Sequence, residues 1–291
     1  MKTKKIALLF ILLAALAYVT SCNRNKSLQS GQIILDSLSL ERSTHLFGDT
    51  TMPHNSISIV FACPTDSMPN VVIDSIRYNI LNNLFGPQYA SMKPREAMLA
   101  YAAASDSIYL AEVEPELKEE LAANPNYRPE GGLYSYVEEL FGQVIYRQDS
   151  LLVYGVEIFG YTGGAHGHFF TRLFNLDLHT GKLIRLFDFL DEKKARELTD
   201  MLWKQLMEDQ DVTSREALNE MGYGTLGDLY LTDNYEITPN GISFHFNQYE
   251  IAPYAMGMIV VTLSYKDLAP YILEDSAAAK LLPRTNKEHG Q

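Results

Sequence analysis

Apolar and polar positions change rhythm several times along this chain. From Gln32 to Leu40 apolar residues partly alternate with polar ones, and Ser56 to Ala62 is a short apolar run; both predict strands. The rhythm then lengthens. Val72, Ile76, Ile80 and Leu84 recur every four residues with Ile73 beside them, which predicts an amphipathic helix over 70–85 ended by Gly86-Pro87. Arg95 to about Leu121 is rich in Ala, Glu and Leu, and Pro115 inside it predicts two helices in place of one. Its Glu112–Glu120 patch reads as a solvated helix face.

After the loop composition of Asn124–Gly132 the texture turns to strands. Leu133–Tyr146 and Leu151–Tyr161 predict one hairpin. Phe169–Leu178 and Lys182–Leu186 predict another, turning at His179-Thr180-Gly181. Asp191 can cap a helix to Asp209 whose buried stripe is Ala195, Leu198, Leu202 and Leu206, and Ser214 can cap a shorter one ending near Gly222. Asn240-Gly241 is a hairpin turn signal between Tyr235–Ile237 and Ile242–Phe246. Met258–Ser264 predicts a last strand and Lys266–Ile272 a helical turn.

Strands paired by hairpins, without a βαβ repeat, predict an α+β protein of two domains with antiparallel sheets packed by helices. The expected layout is a smaller N-terminal domain over 31–149, a C-terminal domain over 150–273 and a disordered tail over 274–291.

The first residues are expected to be an address. Lys2, Lys4 and Lys5 precede 14 apolar or small residues from Ile6 to Val19, and Thr20-Ser21-Cys22 follows. So short a run before small residues reads as a secretory signal over 1–21, since a membrane span needs about 20 residues. The Cys after Thr-Ser matches a bacterial lipobox, so Cys22 is the expected lipidation site, carrying diacylglycerol and a further acyl chain such as palmitate, with 22–30 as a polar tether. Acyl chains anchor at about 0.8 kcal/mol per buried CH₂. No acidic run follows Cys22, so a periplasm-facing membrane is expected, with the cell surface as the alternative.

Charge narrows the partners. Removing residues 1–21 takes away three lysines and no acid, so the formal charge goes from −12 to −15. Such acidity argues against nucleic acid and suits cationic proteins. With Cys22 lipidated only Cys63 remains, in a strand-like run, and a buried inert thiol is expected there.

Chemistry-bearing residues concentrate in Tyr161–Lys182: the pair Gly163-Gly164, three histidines and Asp177. His166 and His168 would share a face if both lay on a strand, and Asp177 or His179 could return across the hairpin, a set that suits zinc. The competing reading makes the glycines backbone devices and Asp177 a turn acceptor. No elbow around a nucleophilic Ser and no phosphate loop is present, and no motif calls for a cofactor. A second polar-aromatic stretch holds Tyr249, Glu250 and Tyr254. Tyrosines anchor interfaces well, so Tyr161, Gly163, Gly164, His166, Tyr249, Glu250 and Tyr254 are the candidate ligand-binding residues.

Two stretches carry a family resemblance. They are Tyr161-Thr-Gly-Gly-Ala-His166-Gly167 with Phe174-Asn-Leu-Asp177-Leu-His-Thr-Gly181-Lys182, and Ile242-Ser-Phe-His-Phe-Asn247-Gln-Tyr-Glu-Ile-Ala-Pro-Tyr254-Ala-Met-Gly257 with Val260-Val-Thr-Leu-Ser-Tyr265. The chain resembles the extracellular domain of the lysozyme-sensing sigma-V anti-sigma factors, a unit similar to the non-catalytic part of some peptidoglycan deacetylases. The resemblance covers 150–272 by motif and 30–149 by pattern. With five residues before the apolar run, a cytoplasmic regulatory arm is not expected, nor is the deacetylases' metal domain. The resemblance implies a non-enzymatic envelope protein that binds a lysozyme-like muramidase or peptidoglycan. The alternatives are a metal-assisted hydrolase of cell-wall material and a structural lipoprotein in a larger assembly.

Overall fold

In the computed structural model, which describes residues 33–64, 70–129 and 132–283, strand β1 (Asp36–His45) turns back antiparallel into β2 (His54–Cys63). Helices α1 (Val71–Phe85) and α2 (Pro94–Ala123) follow, then β3 (Tyr136–Gln148), β4 (Leu151–Tyr161), β5 (His168–Asp177) and β6 (Leu183–Ile184). These six strands form one sheet in sequence order. Helices α3 (Ala195–Asp209) and α4 (Arg215–Met221) lead to a second, antiparallel sheet of β7 (Tyr235–Ile237), β8 (Gly241–Phe246) and β9 (Ile259–Ser264), and α5 (Tyr265–Leu268) follows. The α+β class is as expected. The predicted signal segment, tether and Cys22 lie outside the described residues.

One strand pair departs from the antiparallel expectation. β2 and β3 run parallel, Asn55 opposite Tyr136 through Phe61 opposite Gly142. A parallel pair needs a long crossover. Here α1 and α2 are that crossover, which lays both helices on one face. There Ile57, Ile59 and Phe61 pack against Ile76, Ile80, Leu84, Ala97 and Met98. Each large apolar side chain so buried contributes about 1.5–3 kcal/mol. Asn70 starts α1 by accepting from the Val72 N–H, and Gly86 ends it at φ 102°.

Strand β4 is buried on both faces, and its period-two alternation divides it between two cores. Leu152, Tyr154 and Val156 join the helix-side core. Leu151 and Val153 join a second core with Leu198, Leu202 and Leu206 of α3 and Ile242, Phe244 and Val261 of the small sheet. The boundary expected between 149 and 150 falls in the β3–β4 turn, and those strands stay paired from Val137–Tyr161 to Gln148–Leu151. Described residues from Ile33 onward fall in one compact unit. Two cores share one sheet where two domains were expected.

Two further expectations are corrected. α2 continues through Pro115 without breaking. Pro115 is exposed, so the carbonyl it leaves unbonded faces water, while Val113 and Leu117 on either side are buried with Leu46 and Tyr109. Nor are residues 274–283 a disordered tail: Ala278, Leu281 and Leu282 pack on the second core and Pro283 is buried. Cys63 is fully buried at the end of β2, as expected.

Candidate functional site

The second sheet is fastened to the first by side-chain amides. β6 pairs with β5 only at Asn175 and Leu176, so the outer edge of β5 from 168 to 173 has no strand beside it. Its outward backbone groups meet amide side chains instead. Gln248 Oε1 accepts from Phe169 N at 3.2 Å. Asn247 Oδ1 accepts from Thr171 N at 2.7 Å while its Nδ2 donates to Thr171 O at 3.0 Å. Asn234 Oδ1 accepts from Leu173 N at 2.7 Å, and its Nδ2 donates to both Thr171 O and His245 O. Asn175 reaches the other way, donating to Tyr235 O and accepting from Ile237 N. An amide side chain copies one peptide group, so this row satisfies an edge that would otherwise be open or buried unpaired.

That row fixes where the two motif stretches meet. After Gln248 the chain turns at Tyr249, whose φ of 67° lies in the left-handed region. The Tyr249 ring is 54% exposed and lies 5.6 Å from the Tyr254 ring. Tyr254 stacks on His166, centroids 4.0 Å apart at 22°, and its hydroxyl donates to Gly167 O at 3.0 Å. His166, Tyr254 and Tyr249 thus form one ring stack joining the two loops. Tyr161 ends β4, lies against Gly132 and donates to Gly164 O at 3.0 Å. Glu250 is held from within: Tyr230 Oη donates to Oε2 at 3.3 Å, and Asn247 Nδ2 lies 3.4 Å from Oε1. Its neighbour Tyr230, 47% exposed, has its phenol pushed up, mainly by burial.

The glycines divide by role. Gly163 (φ 89°) and Gly164 (φ 94°) have open space where a Cβ would go, so only their backbone angle calls for glycine. A Cβ on Gly167 would lie 2.6 Å from the Phe159 ring, so there the need is close approach.

The proposed metal set does not assemble. Of the two neighbouring histidines only His168 is on a strand; His166 sits in the loop on Tyr254. Asp177 ends β5 nine residues from His168, on the order of 30 Å away. It accepts from His179 N at 2.9 Å and Thr180 Oγ1 at 2.8 Å, the turn role. Among the described residues no three His, Cys, Asp or Glu side chains are grouped to hold a metal. Among them also no helix is long and apolar enough to cross a membrane.

Sequence reasoning found both loops and missed the row that joins them. Asn247 and Gln248 lay inside a quoted motif but carried no role; Asn234 and Asn175 carried no signal beyond their residue type.

A family profile, described as a protein of unknown function (DUF3298), matches residues 188–266, which hold Asn234, Asn247, Tyr249, Glu250 and Tyr254. A solved member of that family from Bacteroides fragilis is 35% identical, with 83% of this chain and 94% of that chain covered and a TM-score of 0.77. A DUF3298 family protein from Pseudomonas aeruginosa, 17% identical, matches over 82% and 94% with a TM-score of 0.54, a likeness of fold alone. No curated protein matches the chain.

Proposed function

The chain belongs to the DUF3298 family, a family of unknown function, and on that footing we propose that it is a lipid-anchored module of the cell envelope. Its partner is a cationic protein of the lysozyme-like muramidase class, bound through the His166–Tyr254–Tyr249 stack. Cys22 is the anchor.

The observation that carries this reading is Tyr249. A side chain other than glycine at φ 67° costs roughly 1–2 kcal/mol, yet the position holds a large ring turned half into solvent. Stability alone favours glycine there. Exposed aromatics are the side chains that anchor protein interfaces, and Tyr230 and Phe169, 47% and 41% exposed, lie beside the same loop. The formal charge of −12, or −15 after removal of 1–21, would steer a cationic partner toward the module. The resemblance to lysozyme-sensing ectodomains supplies the partner class.

The test mixes the chain from Asn23 onward, which keeps every described element, with lysozyme at low ionic strength. A complex on size exclusion together with slowed lysis of cell walls is expected. Free elution of both proteins and undiminished lysis contradict the reading; sedimentation with purified peptidoglycan in that case assigns the surface to the wall polymer.

A further inference from the structure

A groove of about 370 Å³ lies between α2 and the β3–β4 pair, a volume within the range of roughly 300–1,000 Å³ usual for ligand sites. Across its floor runs one register row: Glu138 on β3 faces Gly160 on β4, and Gly160 faces His168 on β5. Gly160 carries no side chain in that row, and the His168 ring fills the space above it, so close that a Cβ would sit 2.3 Å away. Tyr89, Tyr101 and Tyr136 line the walls, with the Tyr89 and Tyr101 rings 5.8 Å apart and nearly perpendicular.

The charge of the groove is unbalanced. Tyr101 Oη donates to Glu138 Oε1, and Ser105 Oγ donates to Oε2 at 3.2 Å. Both donors are neutral. Among the described residues no Lys or Arg pairs with Glu138, and none lines the groove. A carboxylate has about four acceptor positions, so two stay open. Glu112 stands at the mouth, taking only a 3.4 Å contact from Tyr136 Oη. Tyrosine faces carry negative potential and attract cations. A carboxylate positioned by hydroxyls between aromatic walls defines the chemistry of an occupant.

We propose that this groove binds an ammonium or guanidinium group, presented by a basic side chain of a polypeptide or by a free amine. It shares no side chain with the ring stack, so this site and the proposed envelope function stand or fall separately.

The experiment titrates the chain from Asn23 onward calorimetrically with Nα-acetyl-arginine amide and, as a neutral isostere, Nα-acetyl-citrulline amide. Saturable binding of the arginine compound, at least about tenfold tighter than the citrulline one, is expected from a charge-assisted contact. Glu138→Gln keeps the shape of the side chain and an oxygen to accept one of the two hydroxyls while removing the charge, and should weaken arginine binding by about tenfold or more. Ile108→Arg, at a rim position 57% exposed, should weaken it as well by seating a competing guanidinium beside Glu112. Tighter binding of a Gly-Arg-Gly amide assigns a polypeptide source and equal binding a free amine; both uphold the site. Equal affinity for arginine and citrulline compounds, or unchanged arginine affinity in both correctly folded variants, overturns it, as does no saturable binding at all.

Discussion

Asn247 and Thr171 are joined like two residues of adjacent strands, although one partner is a side chain: Asn247 accepts from Thr171 N at 2.7 Å and donates to Thr171 O at 3.0 Å. Both residues are buried, 4% and 7% exposed. Replacing Asn247 by Ala strips the partner from a buried N–H. The carbonyl of Thr171 keeps Asn234. The expected loss is roughly 2–3 kcal/mol, read as a lower denaturation midpoint at unchanged slope. Asn247→Asp should cost as much or more, because a carboxylate cannot donate and would face both Thr171 O and Glu250.

The glycines of the two turns should separate by mechanism. Gly163→Ala and Gly164→Ala meet only backbone strain and should each cost about 1 kcal/mol. Gly181→Ala combines φ 72° with a Cβ 2.5 Å from Val72 O. Gly181 O also receives bonds from Ser75 and Asn79 of α1, so relief would break the turn's attachment to that helix. Its cost should exceed about 2 kcal/mol, measured by chemical denaturation.

Pro115 is an exposed proline within an intact helix. Pro115→Ala should restore one backbone bond and stabilise the protein by about 1–3 kcal/mol, less whatever the unfolded chain gains in freedom. An unchanged or lower melting temperature would contradict this.

Alkaline pH should unfold the protein early. Burial pushes the phenols of Tyr154 and Tyr235 well above the ordinary tyrosine value. Groups with raised folded values contribute stability that is complete below the unfolded pKa, about 10, and is lost as pH rises beyond it. Stability measured against pH should therefore fall from about pH 10 upward. Tyr154→Phe gives up the bond to Ala62 O yet should make that fall shallower.

What the sequence disclosed follows from the range of the interactions involved. β4 was legible because burial on both faces makes a continuous apolar run, and the caps Asp191 and Ser214 because they act within three residues. The unbroken α2 was not: Pro115 is tolerated only because Val113 and Leu117 find Leu46 and Tyr109, residues distant in the chain or a turn away. The parallel β2–β3 pair depends on which way a crossover returns. The ordered 274–283 segment depends on a core surface that no local pattern announces. At the candidate site, His166, Tyr249 and Tyr254 drew notice by type and motif, but their convergence is set by the asparagine row, a relationship between two sheets. His168 and Asp177 were grouped by nearness in sequence, and a single extended strand separates them.

The central claim is that the half-exposed ring of Tyr249 is retained for binding. Tyr249→Gly removes the ring and relieves the left-handed backbone, so it should raise stability by up to about 1 kcal/mol while removing an interface anchor. The direct measurement is calorimetric titration of lysozyme into the chain from Asn23 onward and into its Tyr249→Gly variant at low ionic strength. Binding by the unaltered chain, weakened about tenfold or more in a variant at least as stable, is the predicted result. Equal binding by the two proteins, or no heat of binding with either, would contradict it.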